Sequence, residues 1–320
     1  MLQSYAGAGI RLACLVVGCA GVAGAEDFPN RPIRIVTSSA GGGSDATTRL
    51  IAQGIAGALS QPIIVENRPT GIIPGEIVSR AIPDGYTLFI TGSNFWIGPL
   101  LRKAPYDPVQ DFSPITLISM EVNVVAVHPS TPAKSIRELI ALAKGKPGEL
   151  NYASSSIGGP SHLAAELFKA MAGINIGHIP YKGGGPQVTA LIGGEVQVAI
   201  ADLGLIMPHV KSGRLRDLAV TSSLPSALAP GLPTVAAAGL AGYESVSMTG
   251  MFAPAKTPGA VINRLNGEVA RFLGRAEVKE KFLNARGEVV GNSPAQFAAI
   301  VKTDIAKMGK VIRDANIKVD

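Results

Sequence analysis

Ile33-Arg34-Ile35-Val36-Thr37-Ser38-Ser39-Ala40-Gly41-Gly42-Gly43-Ser44-Asp45-Ala46 is the stretch on which the fold class turns. Ile33 to Thr37 is a short β-branched run that reads as a strand. Ala46 to Leu59 has apolar residues at helical spacing, and a turn of small residues joins the two. Strand, Gly-rich turn and helix then recur outward along the chain. Pro62 to Glu66 and Thr87 to Thr91 read as further strands, and this alternation predicts a parallel α/β fold. Ile115 to Val127 is long enough for two strands or one bent one.

A second alternating series begins at Ser135. Ser135 to Lys144 reads as a helix opened by a capping serine. Asn151 to Ser154 is a strand, and Leu163, Leu167, Phe168 and Met171 give one helical face. Ile176 to Pro180, Val196 to Ile200 and Leu215 to Thr221 read as strands. The last seventy residues are mostly helical, with starts at Thr257-Pro258 and Ser293-Pro294. Val261, Ile262, Leu265, Val269 and Phe272 form one buried stripe, and Phe297, Ile300, Val301 and Met308 another.

The final helices need a sheet to cover, and the first series supplies one. The chain is therefore expected to cross into a second lobe near Asn123–His128 and to return near Ser247–Ala253. Two crossings make a hinge. The expected lobes are 26–125 with 250–320, and 126–249. At 320 residues two lobes fit the usual domain size.

Arg11 precedes an apolar run from Leu12 to Val22, followed by Ala23-Gly24-Ala25 and Glu26-Asp27. That order is the pattern of a secretory leader, 1–25, cleaved after Ala25. The run is shorter than the ~20 residues of a membrane span. A lipoprotein reading through Cys19 would leave a shorter apolar core. Both cysteines, Cys14 and Cys19, lie inside the leader, so the exported chain would carry no thiol or disulfide. The formal charge is +6 without a Lys/Arg block, and aromatics are 5%. Nucleic-acid and membrane-surface binding are poorly supplied.

The chemistry rests on a loop used twice. Ser38-Ser39-Ala40-Gly41-Gly42-Gly43-Ser44 and Ser155-Ser156-Ile157-Gly158-Gly159-Pro160-Ser161 share the form S-S-x-G-G-x-S, once per expected lobe. Glycine admits a close ligand, and the helix N-terminus that follows offers unpaired N–H groups to an anion. Ordinary turn and capping chemistry is the bland alternative. The candidate ligand-binding residues are Ser38, Ser39, Ala40, Gly41, Gly42, Gly43, Ser44, Ser93, Ser154, Ser155, Ser156, Gly158 and Asp202. Asp202 follows an apolar strand, where it serves either a ligand hydroxyl, water or amine, or merely caps the helix from Leu203 to Val210. Neither loop holds a Lys or Arg, which leaves backbone amides and hydroxyls to capture the anion.

Competing motifs are incomplete. Gly41-x-Gly43-x-x-Ala46 with Glu66 satisfies a dinucleotide fingerprint, but export would separate the protein from the cytosolic cofactor pool. Ser44 sits in a near-match to a hydrolase elbow that lacks its last glycine and a late histidine. His128, His162, His178 and His209 show no metal-ligand spacing, and Lys182 precedes its glycines, against P-loop order. No cofactor, no metal and no catalytic residue is expected.

Val65-Glu66-Asn67-Arg68-Pro69, Ile82-Pro83-Asp84-Gly85-Tyr86-Thr87-Leu88, Pro105-Tyr106-Asp107-Pro108 and Pro132-Ala133-Lys134-Ser135 resemble signatures of the Bug-type receptors. So do His162-Leu163-Ala164-Ala165-Glu166-Leu167-Phe168, Pro180-Tyr181-Lys182-Gly183, Leu215-Arg216-Asp217-Leu218-Ala219-Val220-Thr221 and Phe252-Ala253-Pro254-Ala255. These are the substrate-binding proteins of tripartite tricarboxylate transporters. The resemblance implies a periplasmic, two-lobed type II (Venus flytrap) binding protein with two hinge crossings. It also implies a carboxylate ligand (di- or tricarboxylate, aromatic acid or amino acid-like) and a membrane permease as partner. It places ligand contacts on Ser39–Ser44, Ser154–Ser156 and Asp202. A monomer is expected, and a periplasmic sensing component would share the sequence. Three departures stand near the pocket: Thr37-Ser38-Ser39-Ala40 replaces a Pro-rich half-loop, Thr70-Gly71-Ile72-Ile73 replaces a small-residue run, and Met248 replaces a common Trp.

Overall fold

The computed structural model describes residues 28–40, 43–68, 72–284 and 287–318. The expected leader 1–25 with Cys14 and Cys19 lies outside the described residues, as do Gly41, Gly42, Thr70 and Gly71.

The first series is β1 (Ile33–Thr37), α1 (Gly43–Leu59), β2 (Ile63–Asn67), α2 (Ile73–Ser79), β3 (Thr87–Gly92) and α3 (Asn94–Leu101). A long strand, β4 (Phe112–Val127), leads out of it. The second series runs α4 (Ile136–Gly145), β5 (Asn151–Ser154), α5 (Pro160–Ala172), β6 (Gly177–Pro180), α6 (Gly184–Ile192), β7 (Val198–Asp202), α7 (Leu203–Lys211) and β8 (Arg216–Val220). The chain returns through β9 (Val246–Pro254) to α8 (Gly259–Leu273), α9 (Ala276–Asn284), β10 (Glu288–Val289) and α10 (Pro294–Asp314).

β1 pairs in parallel with β2 and β3, and β5 pairs in parallel with β6 and β7. Every pairing of β4 and β9 is antiparallel. The expected parallel fold is thus a mixed one, because strands that carry the chain across and back must oppose their neighbours. β4 is a single strand with three irregularities, between Pro114 and Thr116 and between Leu117 and Ser119 against β9, and between Val125 and Ala126 against β8. Phe112 to Val122 pair with β9, whereas Asn123 to Val127 pair with β7. One strand therefore serves both sheets, exchanging partners between Val122 and Asn123.

Strand alternation sorts the residues at this exchange. Met120 lies opposite Met248 and Val122 opposite Val246, and Met120, Val246 and Met248 border Ala299, Ile300 and Thr303 of α10. Glu121, opposite Ser247, and Asn123, opposite Asp202, turn to the other face.

Helix stripes set the packing. Ile51, Ile55 and Leu59 of α1 join Val261, Leu265 and Phe272 of α8 in one core. A Cβ on Gly54 would stand 2.2 Å from the Phe272 ring, so the approach of these helices depends on that glycine. Trp96 is fully buried and donates its indole N–H to Asp304 Oδ2 of α10 at 2.8 Å. Ser293 caps α10 in a reciprocal box with Gln296, as its Ser-Pro start predicts. Thr257 does not cap α8. Its hydroxyl donates to the Pro254 carbonyl, and Pro258 takes the cap position. Met171, in the last turn of α5, is exposed and does not join the buried face expected of that helix.

Candidate functional site

Four parallel strands end facing the exchange point, and each passes into a helix: β1 into α1, β3 into α3, β5 into α5, β7 into α7. In open α/β sheets, ligands bind outside the carboxyl ends of the strands. The turns are neighbours in space. A Cβ on Gly92, at the end of β3, would lie 3.9 Å from Ser44 Oγ, and one on Gly43 would lie 3.8 Å from Glu121 Oε1.

The β3–α3 and β5–α5 turns wall one cavity of about 210 Å³. Ser93, Asn94 and Arg102 contribute from the first series, Ser156 to Pro160 from the second, Ser245 and Val246 from the returning strand, and Asp304 from α10. Neither helix carries a side-chain cap: Ser93 makes no capping bond at α3, and Gly159 makes none at α5. Both first turns therefore face the cavity with partial positive charge. Of the expected site residues, the structure brings Ser93, Ser156 and Gly158 together here. Among the described residues of the first loop, Ser38, Ser39, Ala40, Gly43 and Ser44 do not line this cavity.

The second loop spends much of its hydrogen-bonding capacity on itself. The Ser155 N–H donates to Ser161 Oγ, and the two hydroxyls are 2.9 Å apart. The Gly158 N–H donates to His162 Nδ1 at 2.9 Å, and the Gly159 N–H to the Ser156 carbonyl. Pro160 opens α5 and has no N–H to offer. The amides expected to capture an anion are therefore partly engaged, and the exposed Ser156 hydroxyl is the loop's open polar group. Ser154 is fully buried, with its hydroxyl 2.6 Å from His178 Nε2 and 3.3 Å from the Ser156 carbonyl. It supports the loop from beneath rather than facing a ligand.

Below the loop the rings of Tyr152, His178 and His162 stack, with His162 and His178 centroids 4.0 Å apart. Burial, reinforced by the neighbouring His178, lowers the His162 pKa to about 4. That agrees with Nδ1 accepting from Gly158, which requires a neutral ring.

Asp202 caps α7, its Oδ1 accepting from the Leu205 N–H at 3.1 Å. The capping alternative describes one of its oxygens. Asp202 also opposes Asn123 in the sheet, and its charge adds to burial in raising the pKa of Glu121. Glu121 thus places a carboxylate of the protein itself beside the start of α1, where the first loop was expected to receive an anion.

Arg102, Asn94, Ser245, Asp304, Glu121 and Asn123 escaped sequence reading. Arg102 lies outside both loops, where no cation was expected or found; it ends α3 and lines the cavity. Nothing in its local sequence marks it, because it reaches the cavity from the far end of α3 rather than from a strand-end turn. Glu121 carried a visible signal: a lone acid inside the apolar run Ile115 to Val127. Glu66, the acid of the dinucleotide fingerprint, is held in ion pairs by Arg34 and Arg68.

Two α/β lobes joined by β4 and β9, with strand-end turns from both lobes meeting at the join, define a receptor of the periplasmic binding protein fold. The chain belongs to the tripartite tricarboxylate transporter receptor family: residues 47–317 match the TctC family, described as "Tripartite tricarboxylate transporter family receptor". Protein BugT of Bordetella pertussis is 32% identical over 307 residues, which are 94% of this chain and 94% of that one. Among solved structures, R. palustris Rpa4515 with adipate is 35% identical with a TM-score of 0.73, covering 91% of this chain and 99% of its own. MatC (Rpa3494) from Rhodopseudomonas palustris with bound malate is 27% identical with a TM-score of 0.69, covering 89% and 100%. The Bug-type resemblance read from the motifs is thereby confirmed.

Proposed function

We infer that this chain is a periplasmic receptor that closes its lobes on a small carboxylate, performs no catalysis, and delivers the ligand as a monomer to the permease of a tripartite tricarboxylate-type transporter. The observation that carries this reading is the shared cavity. Ser93 and Arg102 from one lobe, Ser156 and Gly158 from the other, and Ser245 and Val246 from the returning strand wall the same space. Two uncapped helix N-termini and a guanidinium suit an anion. A volume of about 210 Å³ lies below the ~300–1,000 Å³ of drug-sized sites and favours a compact acid. The exchange of partners along β4 supports a lobe division near 125/126 and 249/250. The relatives with adipate and malate support carboxylate as the ligand class.

Calorimetric titration of the purified protein with a carboxylate panel, alongside mass spectrometry of whatever co-purifies, tests the reading. Saturable binding of at least one acid, with no binding of nicotinamide cofactors, is expected. Tight cofactor binding and silence across the acids would overturn it.

A further inference from the structure

Glu121 sits where β4 exchanges partners, on the face turned away from α10. No hydrogen bond or ion pair holds its half-buried carboxylate among the described residues. Asn123, two residues on, shares that face and is only 7% exposed, yet its Nδ2 has no hydrogen-bond partner. Asp202, in register with Asn123, completes the group, and its charge acts on Glu121. The main chain of Asn123 is fixed by the Thr221 hydroxyl and amide on the neighbouring segment. The side-chain amide is therefore held beside two carboxylates without bonding either. The start of α1 stands at the same place, 3.8 Å from Glu121 Oε1 to a Cβ position on Gly43.

The three side chains define what fits. Another carboxylate would add a third negative charge to a half-buried acidic pair. An ammonium group would suit the acids but leave the buried Asn123 donor facing a further donor. A hydroxyl donates to a carboxylate and accepts from an amide N–H at once, so it meets both needs. We propose that Glu121 and Asn123, with Asp202, form a hydroxyl-reading subsite that selects hydroxylated monocarboxylates over dicarboxylates of the same length. This rests on the receptor reading given above and sharpens it: a ligand that reaches Glu121 and Asn123 lies on the face of β4 beside the first turn of α1, opposite the wall that Val246 and Asp304 give the cavity, and its neutral end is what the protein discriminates.

The test is a matched titration of the full chain with succinate, 4-hydroxybutyrate and 4-aminobutyrate, and with adipate, 6-hydroxyhexanoate and 6-aminohexanoate. In at least one length the hydroxy acid is expected to bind about tenfold or more tighter than the dicarboxylate, the scale of one hydrogen bond to a charged group. Glu121→Gln should bring the dicarboxylate to within about threefold of the hydroxy acid, by removing the repulsion while keeping an acceptor. Asn123→Ala, checked for folding by circular dichroism, should weaken the hydroxy acid selectively. A wild-type preference for the dicarboxylate, or a ratio unmoved in Glu121→Gln, overturns the proposal. A preference for the amino acid overturns it in favour of an ammonium subsite. Silence across all six compounds, and across the wider carboxylate panel, overturns the receptor reading as well.

Discussion

Arg102 shows how one side chain redirects the electrostatics of the site. It is the cation among the described residues lining the interlobe cavity, where a charge-assisted bond to a carboxylate contributes about 1.5–3 kcal/mol. Arg102→Ala is expected to weaken carboxylate binding about tenfold or more in titration calorimetry; an unchanged Kd would remove Arg102 from the site. The capping bond of Asp202 to Leu205 occupies one oxygen, so its cap and its proposed part in the hydroxyl-reading subsite can be tested separately. Asp202→Ala should lower stability by ~1 kcal/mol through the lost cap. Asp202→Asn keeps a capping oxygen and should change ligand preference at near-normal stability, as thermal melts and titrations of both variants would show. His162 adds a pH dependence. Its pKa falls to about 4 in the fold, through burial and His178 and against the opposing pull of Glu166. The unfolded chain, titrating near ~6.5, therefore binds the proton first as pH falls. The stabilising contribution is complete above ~6.5 and declines as pH drops toward 4, by up to ~1.4 kcal/mol per pH unit. His178 shifts in the same direction. A His162→Gln variant should show a shallower loss of melting temperature across that window.

Helix approach can be tested on α1 alone, where two glycines have opposite surroundings. A Cβ at Gly54 would overlap the Phe272 ring of α8, while one at Gly57 meets nothing within 4 Å. Gly54→Ala is expected to cost ~1–3 kcal/mol by overpacking. Gly57→Ala should instead be neutral or stabilise by up to ~1 kcal/mol through helix propensity; urea denaturation of both measures the contrast. The elements themselves were largely legible. β1 begins and ends where its β-branched run does, β5 spans the expected Asn151–Ser154, and the Ser-Pro signature at Ser293 sets the start of α10. What periodicity could not show was strand direction, because alternation reads the same up or down. The antiparallel course of β4 and β9 follows from long-range pairing. For the same reason Ser154 read as a ligand contact. Its sequence neighbours form a binding-type loop, but its hydroxyl is buried against His178, twenty-four residues away.

At the scale of the molecule, binding and stability are one measurement. The cavity draws its walls from both lobes and from β9, so a bound acid bridges segments distant in sequence and is absent from the unfolded chain. A ligand at about a hundredfold its Kd should therefore stabilise the fold by about 2.7 kcal/mol. The melting temperature should rise with the logarithm of ligand concentration. Gly158 is the position to couple to this readout. It adopts φ +70°, in the left-handed region, and its N–H is tied to His162. A β-branched side chain there is strained by ~1–2 kcal/mol whatever the surrounding space. It also lies on the cavity wall. Gly158→Val is expected to lose the ligand-induced rise in melting temperature while keeping a cooperative, slightly lowered transition without ligand. Small-angle scattering should show the wild type contracting on ligand addition, with the variant unchanged. A variant that still contracts and still gains stability would mean that the second loop plays no part in closing the lobes.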